Sequence, residues 1–248
     1  MRILAVETAT PLCGVAVLDT EDGRAAVRQK TVTTHSEMLL PLISECLKEL
    51  GYSPKDLSGV ACGSGPGSFT GLRMGICTAK GLCFALGLPL VLVSSLEALA
   101  MRGQTEQELT ALPARTAPSV LAVLDAFRGR VFARLEVAPG VRTKATQEVL
   151  ASHPRLADDA VWTPESLALA VAPLAKELTL CGGGLHRYPA AFRAVLSACQ
   201  RCADGEAPHP LDVARLGSAR LSSGLKVPLY SAVPNYLCAS AAEEAGTA

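Results

Sequence analysis

The residues best placed to do chemistry lie in the run Gly63-Ser64-Gly65-Pro66-Gly67-Ser68-Phe69-Thr70-Gly71, which holds four glycines and a proline in nine residues. A glycine-rich turn that opens onto a helix gathers unpaired N–H groups, the chemistry of a phosphate or anion cradle. Gly63, Gly65, Gly67, Ser68 and Thr70 are the candidate contacts. The run lacks the Gly-Lys-Ser/Thr ending of a P-loop, and its spacing is not that of a dinucleotide fingerprint. A tight structural turn fits it equally well. A second glycine turn, Gly182-Gly183-Gly184, follows an apolar segment and offers the same two readings.

Other chemistry is sparse. The four histidines, His35, His153, His186 and His209, stand too far apart for a two-histidine metal motif on a helix. Cys199 and Cys202 form a lone Cys-x-x-Cys with no second pair, which reads as a chance pairing on a helix. Ser64 and Ser68 sit among glycines without the nucleophile-elbow spacing. Glu7 and Asp125 each end a hairpin strand; a cleft carboxylate can hold magnesium or act as a base, and structural bonding to the adjacent turn is the alternative. No acid/base pair has a spacing that compels catalysis, so no catalytic residue, metal site or cofactor is assigned.

The elements that position these residues follow from pattern. Segments 3–7, 14–19 and 25–31 read as strands in hairpin order, with Asp22-Gly23 at the second turn. Thr34, three residues before Glu37, has capping-box spacing for a helix from about His35 to Leu50, stopped by Gly51. A strand over 60–63 enters the glycine-rich run, and a helix covers 71–86 until Gly87 and Pro89. A strand over 90–93 and a helix over 95–101 follow, then a polar stretch with Pro113 and Pro118. Segments 120–125 and 130–136 make a second hairpin, 179–181 a strand, and helices begin at Thr163-Pro164 and span 211–223. Residues 239–248 are expected to fray. Hairpin-then-helices occurs twice, which suggests two related halves and a mixed α/β sheet with helices on its faces.

Two helices are more apolar than a single sheet contact requires. With residues about 100° apart, Arg73 and Lys80 form the polar stripe of the 71–86 helix. Gly71, Gly75 and Ala79 make a row of small residues, and Met74, Cys77 and Thr78 lie beside it. On the preceding helix Leu39, Leu42 and Cys46 cluster on one face, with Met38 to one side. A wide apolar arc points either to association with a partner or to the two helices covering each other.

Composition sets bounds. The 248 residues are 49% apolar and 19% charged, with equal numbers of acidic and basic side chains. One large or two small domains, largely ordered, are expected. Zero formal net charge argues against a chain that grips nucleic acid by itself. Nine scattered cysteines without a leader segment point to reduced thiols and a cytoplasmic location, and the longest apolar run, 82–93, is too short for a bilayer.

Three motifs carry a resemblance: Ile3-Leu4-Ala5-Val6-Glu7-Thr8-Ala9-Thr10, His35-Ser36-Glu37-Met38-Leu39-Leu40-Pro41, and the glycine-rich run. With them the chain resembles the bacterial TsaB (YeaZ) family, densely over residues 1–100 and more thinly through Leu124–Phe132, Gly182–Gly184 and Pro234-Asn235-Tyr236-Leu237. The resemblance implies the two-lobed actin, Hsp70 and sugar-kinase (ASKHA, RNase H-like) fold. It implies a first lobe over 1–102 plus 211–248 and a second over 103–210. It implies a non-catalytic, cytoplasmic subunit of the machinery that makes N6-threonylcarbamoyladenosine in tRNA. The implied partners are the catalytic subunit TsaD, in a heterodimer, and the ATPase TsaE, in a ternary complex; a homodimer through the same surface is the further possibility. tRNA is met through that complex, and no membrane is involved. The implied partner-facing residues are His35, Met38, Leu39, Leu42, Cys46, Gly71, Arg73, Met74, Gly75, Cys77, Thr78 and Ala79. The match departs at Leu39, where the catalytic relative has a second metal histidine after the one aligned with His35, at Gly183, where an acidic residue is common, and at Cys238, where arginine is usual. The alternative is a metal-dependent peptidase-like or nucleotide-binding phosphotransferase activity on the same fold.

Overall fold

A computed structural model describes residues 1–31, 37–109, 119–137, 142–199, 201–202 and 205–238. The chain divides into two compact units, Met1–Ala98 with Pro208–Tyr236, and Leu99–Ala207 with Leu237–Ala248.

In the first unit β1 (Arg2–Glu7), β2 (Leu12–Asp19) and β3 (Ala25–Thr31) form an antiparallel meander. Helix α1 (Leu39–Leu50) leads to β4 (Gly59–Gly63), α2 (Phe69–Leu86) and β5 (Leu90–Val93), and the strand order is β3-β2-β1-β4-β5. β4 lies parallel to both β1 and β5. Because β1 is covered on both sides, its sequence is a continuous apolar run rather than an alternation. Leu4 and Val6 face α1 and α2, together with Val15, Val17, Leu42, Cys46, Ile76 and Cys83. Ile3 and Ala5 face the opposite way.

Helix α3 (Ser95–Leu109) then leads to β6 (Ser119–Asp125) and β7 (Val131–Glu136), α4 (Lys144–Ser152), β8 (Ala160–Trp162), α5 (Pro164–Val171), β9 (Leu178–Cys181), α6 (Gly183–Arg187), α7 (Pro189–Ala198) and β10 (Arg201–Cys202). The second sheet runs β10-β9-β6-β7-β8. Its antiparallel and parallel pairings repeat those of the first sheet strand for strand, so the two halves suggested by the hairpin-then-helix theme share one topology. The core of this unit joins Leu121, Val123 and Val131 to Leu167, Val171, Phe192 and Val195. Helix α8 (Pro210–Ser222) returns to the first unit and lays Val213 and Ala214 on the Ile3/Ala5 face. A Cβ at Gly217 would come within 2.3 Å of the Ala61 Cβ, so glycine is what lets α8 sit this close.

Several sequence expectations change. α1 begins at Leu39, with Met38 preceding it and no side-chain cap, while Thr34 and His35 lie outside the described residues. α2 begins two residues earlier than expected because the Ser68 side chain accepts from the Gly71 amide and caps it. α3 runs on to Leu109, past the helix end expected near Met101, and α4 and α7 form where short amphipathic stretches gave no clear signal. Cys199 closes α7 and Cys202 lies on β10, so the pair does not share a helix.

Candidate functional site

The glycine-rich run connects β4 to α2, and its glycines are set by what packs against them. A Cβ on Gly63 would stand 2.1 Å from Glu7 Oε2, and one on Gly67 would stand 2.2 Å from the Ala9 carbonyl oxygen. Gly65 has φ +95°, a conformation open to glycine, and its carbonyl accepts from the Ser95 amide at 2.8 Å. The Ser64 amide donates to the Val93 carbonyl at 2.8 Å and the Ser68 amide to the Ala9 carbonyl at 2.7 Å. These amides are committed to the protein and are not donors to an anion. The close approaches draw the loop onto the ends of β1 and β5.

Glu7 lies beneath this loop with 2% of its surface exposed. Its carboxylate accepts from the Ala9 amide at 2.7 Å and from Ser95 Oγ at 2.9 Å. Burial pushes its carboxyl up to about 7, against the opposing pull of those hydrogen bonds. The carboxylate ties the β1 end to the start of α3, which is the structural role open to it in the sequence. The second glycine turn is built alike. Gly182 has φ +109°, and a Cβ there would lie 2.1 Å from the Val123 carbonyl oxygen. The Gly182 and Gly183 amides donate to the Gly205 and Glu206 carbonyls at 2.9 and 2.8 Å, and Gly184 is buried against Val123 and Leu124.

The helices divide the partner-facing set in two. Leu39, Leu42 and Cys46 are buried on α1 beneath its contact with the sheet. Gly71, Gly75 and Ala79 are buried on α2; a Cβ on Gly75 would meet Thr8 Oγ1 at 2.3 Å. At Gly75 this row of small residues therefore receives the chain's own first hairpin. A charge at Gly75 or Ala79 would break this packing rather than act at a surface. Arg73 and Cys77 are exposed, and Met38, Met74 and Thr78 are half-buried.

The open face of α2 lies on the other side and carries Arg73, Cys77, Gly81, Phe84 and Ala85. Phe84 is 84% exposed, and a Cβ on Gly81 would meet nothing within 4 Å. Cys77, Gly81 and Ala85 form their own small-residue row at four-residue spacing. Leu40, at the start of α1, is also largely exposed. Sequence reasoning missed Leu40, Gly81, Phe84 and Ala85 as surface residues; a wheel shows both small rows but not which one meets the sheet.

One flank of the open face is edged by the chain's return. Lys80 Nζ donates to the Ala232 carbonyl at 3.3 Å, and the Asn235 amide donates to the Ser64 carbonyl at 2.7 Å. The Arg73 guanidinium lies 3.9 Å from the Phe69 ring centre and donates from Nε to Tyr236 Oη at 2.9 Å, while the Phe69 and Tyr236 rings stack at 4.7 Å. Such a cation–π clamp holds the returning segment along α2.

A family model described as TsaD, tRNA N6-adenosine threonylcarbamoyltransferase, matches residues 27–246. The chain belongs to this family. Within it, the chain is 37% identical over 133 residues to the tRNA threonylcarbamoyladenosine biosynthesis protein TsaB of Escherichia coli strain K12, covering 53% of each chain. It is 33% identical over 135 residues to the TsaB of Bacillus subtilis strain 168, covering 54% of this chain and 55% of that one. The matched stretch thus spans about half the length of these curated relatives. Among solved structures, YeaZ from Pseudomonas aeruginosa matches with TM-score 0.72 and 27% identity over 94% of this chain and 100% of that one. A second P. aeruginosa structure, an uncharacterized protein with similarity to peptidase YeaZ, matches with TM-score 0.74 and 27% identity over 96% and 99%. These relatives place the chain in the TsaB (YeaZ) branch, with its mixed-sheet α/β fold. Among the described residues of this branch member, no helix is long and apolar enough to cross a membrane.

Proposed function

We propose that this chain is the non-catalytic, cytoplasmic TsaB-type subunit of the assembly that makes N6-threonylcarbamoyladenosine in tRNA. It pairs with a TsaD-type catalytic subunit and supports docking of the ATPase TsaE. The two compact units serve as its lobes, and the first supplies the partner surface. The observation that carries this reading is the open face of α2. Phe84 projects into solvent beside Cys77, Gly81 and Ala85, whose small side chains let another helix approach closely. Isolated surface apolar residues need no explanation, but a contiguous row with an exposed aromatic at one end is the composition of an interface. Within the partner-facing set, Met38, Arg73, Met74, Cys77 and Thr78 serve at this surface, while Leu39, Leu42, Cys46, Gly71, Gly75 and Ala79 support it from the core.

The test is a mass measurement. Mixed at micromolar concentration with a purified TsaD-type subunit, the chain elutes as a one-to-one complex by light scattering. If the two remain apart, the accessory-subunit reading fails. A chain that only doubles its own mass uses the same face for a homodimer.

A further inference from the structure

Two residues seat the glycine-rich run, and both are held by Glu7. The Ala9 carbonyl accepts from the Ser68 amide at 2.7 Å, and the Ser95 amide donates to the Gly65 carbonyl at 2.8 Å. The Ala9 amide and the Ser95 hydroxyl in turn donate to the Glu7 carboxylate, at 2.7 and 2.9 Å. The run closes over that carboxylate, since a Cβ on Gly63 would stand 2.1 and 2.9 Å from its two oxygens. The carboxyl group is therefore a hub. Through two residues it orients the contacts that seat the loop covering it. That loop matters beyond itself: Ser68 caps α2, and the Ser64 carbonyl accepts from the Asn235 amide of the returning segment.

The surroundings do not neutralise a charge at this hub. β2 opposes Glu7 with Gly14. β4 brings Gly63 and the neighbouring Cys62, whose thiol is kept neutral by burial. α3 brings Ser95, and its first acidic residue, Glu97, pairs with Arg220 of α8. At the start of α8, His209 caps the helix and the buried Asp212 pairs with Arg215. α2 sends Arg73 to Tyr236 and Lys80 to the Ala232 carbonyl. Among the described residues, the groups acting on the Glu7 carboxyl are the Ala9 and Thr8 amides and the Ser95 hydroxyl, with no cation among them. A carboxylate that loses its proton in such a place is poorly solvated. Water reaches it by displacing the loop that covers it.

We infer that the Gly63–Ser68 loop is a proton-controlled latch, seated while the Glu7 carboxyl holds its proton and released when the carboxyl ionises. The latch is a property of the chain alone, whatever partner α2 meets. The test uses the full-length chain without partners. Amide hydrogen exchange is followed residue by residue from about pH 6 to about pH 8.5, each rate divided by that of an unstructured peptide at the same pH. With one proton linked to opening, protection of the Ser64, Ser68 and Ser95 amides falls about tenfold per pH unit above neutrality. Amides of β6 and β7, in the second unit, keep theirs. In Glu7→Gln the three loop-linked amides hold constant protection. In the wild type the Glu7 carboxyl carbon, followed by NMR, titrates at about 7, in step with those amides. Three outcomes each overturn the inference: pH-independent protection in the wild type, an equal decline in Glu7→Gln, or a Glu7 midpoint near the ordinary 4.5. The carbon titration needs no variant, so a Glu7→Gln chain that fails to fold leaves the latch open to refutation. Because no partner is present, failure of the accessory-subunit reading in the mass measurement leaves these rates interpretable.

Discussion

At the residue scale, Glu7 is open to two readings in the sequence, a magnesium or base residue and a structural tie to the adjacent turn; in the fold it is a buried tie between the Ala9 amide and Ser95. Its proton is held more tightly in the folded chain, near 7, than in the unfolded one, near 4.5. The sign follows. The folded state binds more protons between these values, so stability is full below about pH 4.5 and declines as pH rises through 7. The span corresponds to about 3 kcal/mol at most. Cys62 on β4 also faces the site, and its own thiol is pushed up by burial, so it stays neutral across this range. Urea unfolding of the wild type from pH 5 to 8 shows the decline, and Glu7→Gln, which keeps the shape without the charge, flattens it. Equal slopes in both proteins would remove Glu7 as the cause. Gly63→Ala tests the same site from the other side: a Cβ 2.1 Å from the carboxylate forces it to move and costs about 1–3 kcal/mol.

At the element scale, α2 has two rows of small residues with opposite duties. Gly71, Gly75 and Ala79 are buried, with Gly75 against Thr8 of the first hairpin, while Cys77, Gly81 and Ala85 face solvent. Substitutions in the two rows therefore separate folding from association. Phe84→Glu and Gly81→Leu leave the melting temperature within a few degrees and abolish the complex with the TsaD-type subunit in light scattering. Gly75→Glu lowers the melting temperature steeply, since it drives a charge against Thr8 in a packed core. Normal pairing by Phe84→Glu would move the interface elsewhere. The Arg73–Phe69–Tyr236 clamp belongs to the same helix and makes the returning segment part of its surface.

At the scale of the whole molecule, the first unit is discontinuous in sequence. Its sheet face of Ile3, Ala5, Ala16 and Ala61 is covered by α8, more than a hundred residues downstream of the rest. A fragment ending at Ala98 leaves that face bare, and it shows no cooperative thermal transition by circular dichroism. The full chain does show one. A cooperative transition in the fragment would mean that α8 is dispensable to the core. The second unit repeats the topology of the first around a separate core.

Much of this was legible in the amino-acid sequence alone. Alternating and continuous apolar runs marked β1, β2, β4 and β6, and Gly51 and Gly87 marked two helix ends, because these signals are local and follow from backbone sterics and burial. The three amino-terminal motifs likewise pointed to the TsaB family before any geometry. Which row of α2 faces water was not legible. Periodicity determines the angles between side chains on a helix, while the sheet it lands on determines the absolute rotation. The same is true of Glu7, whose burial depends on Gly63 and Ser95 arriving from distant segments. Local chemistry wrote the elements; only long-range packing decided which surfaces were left exposed.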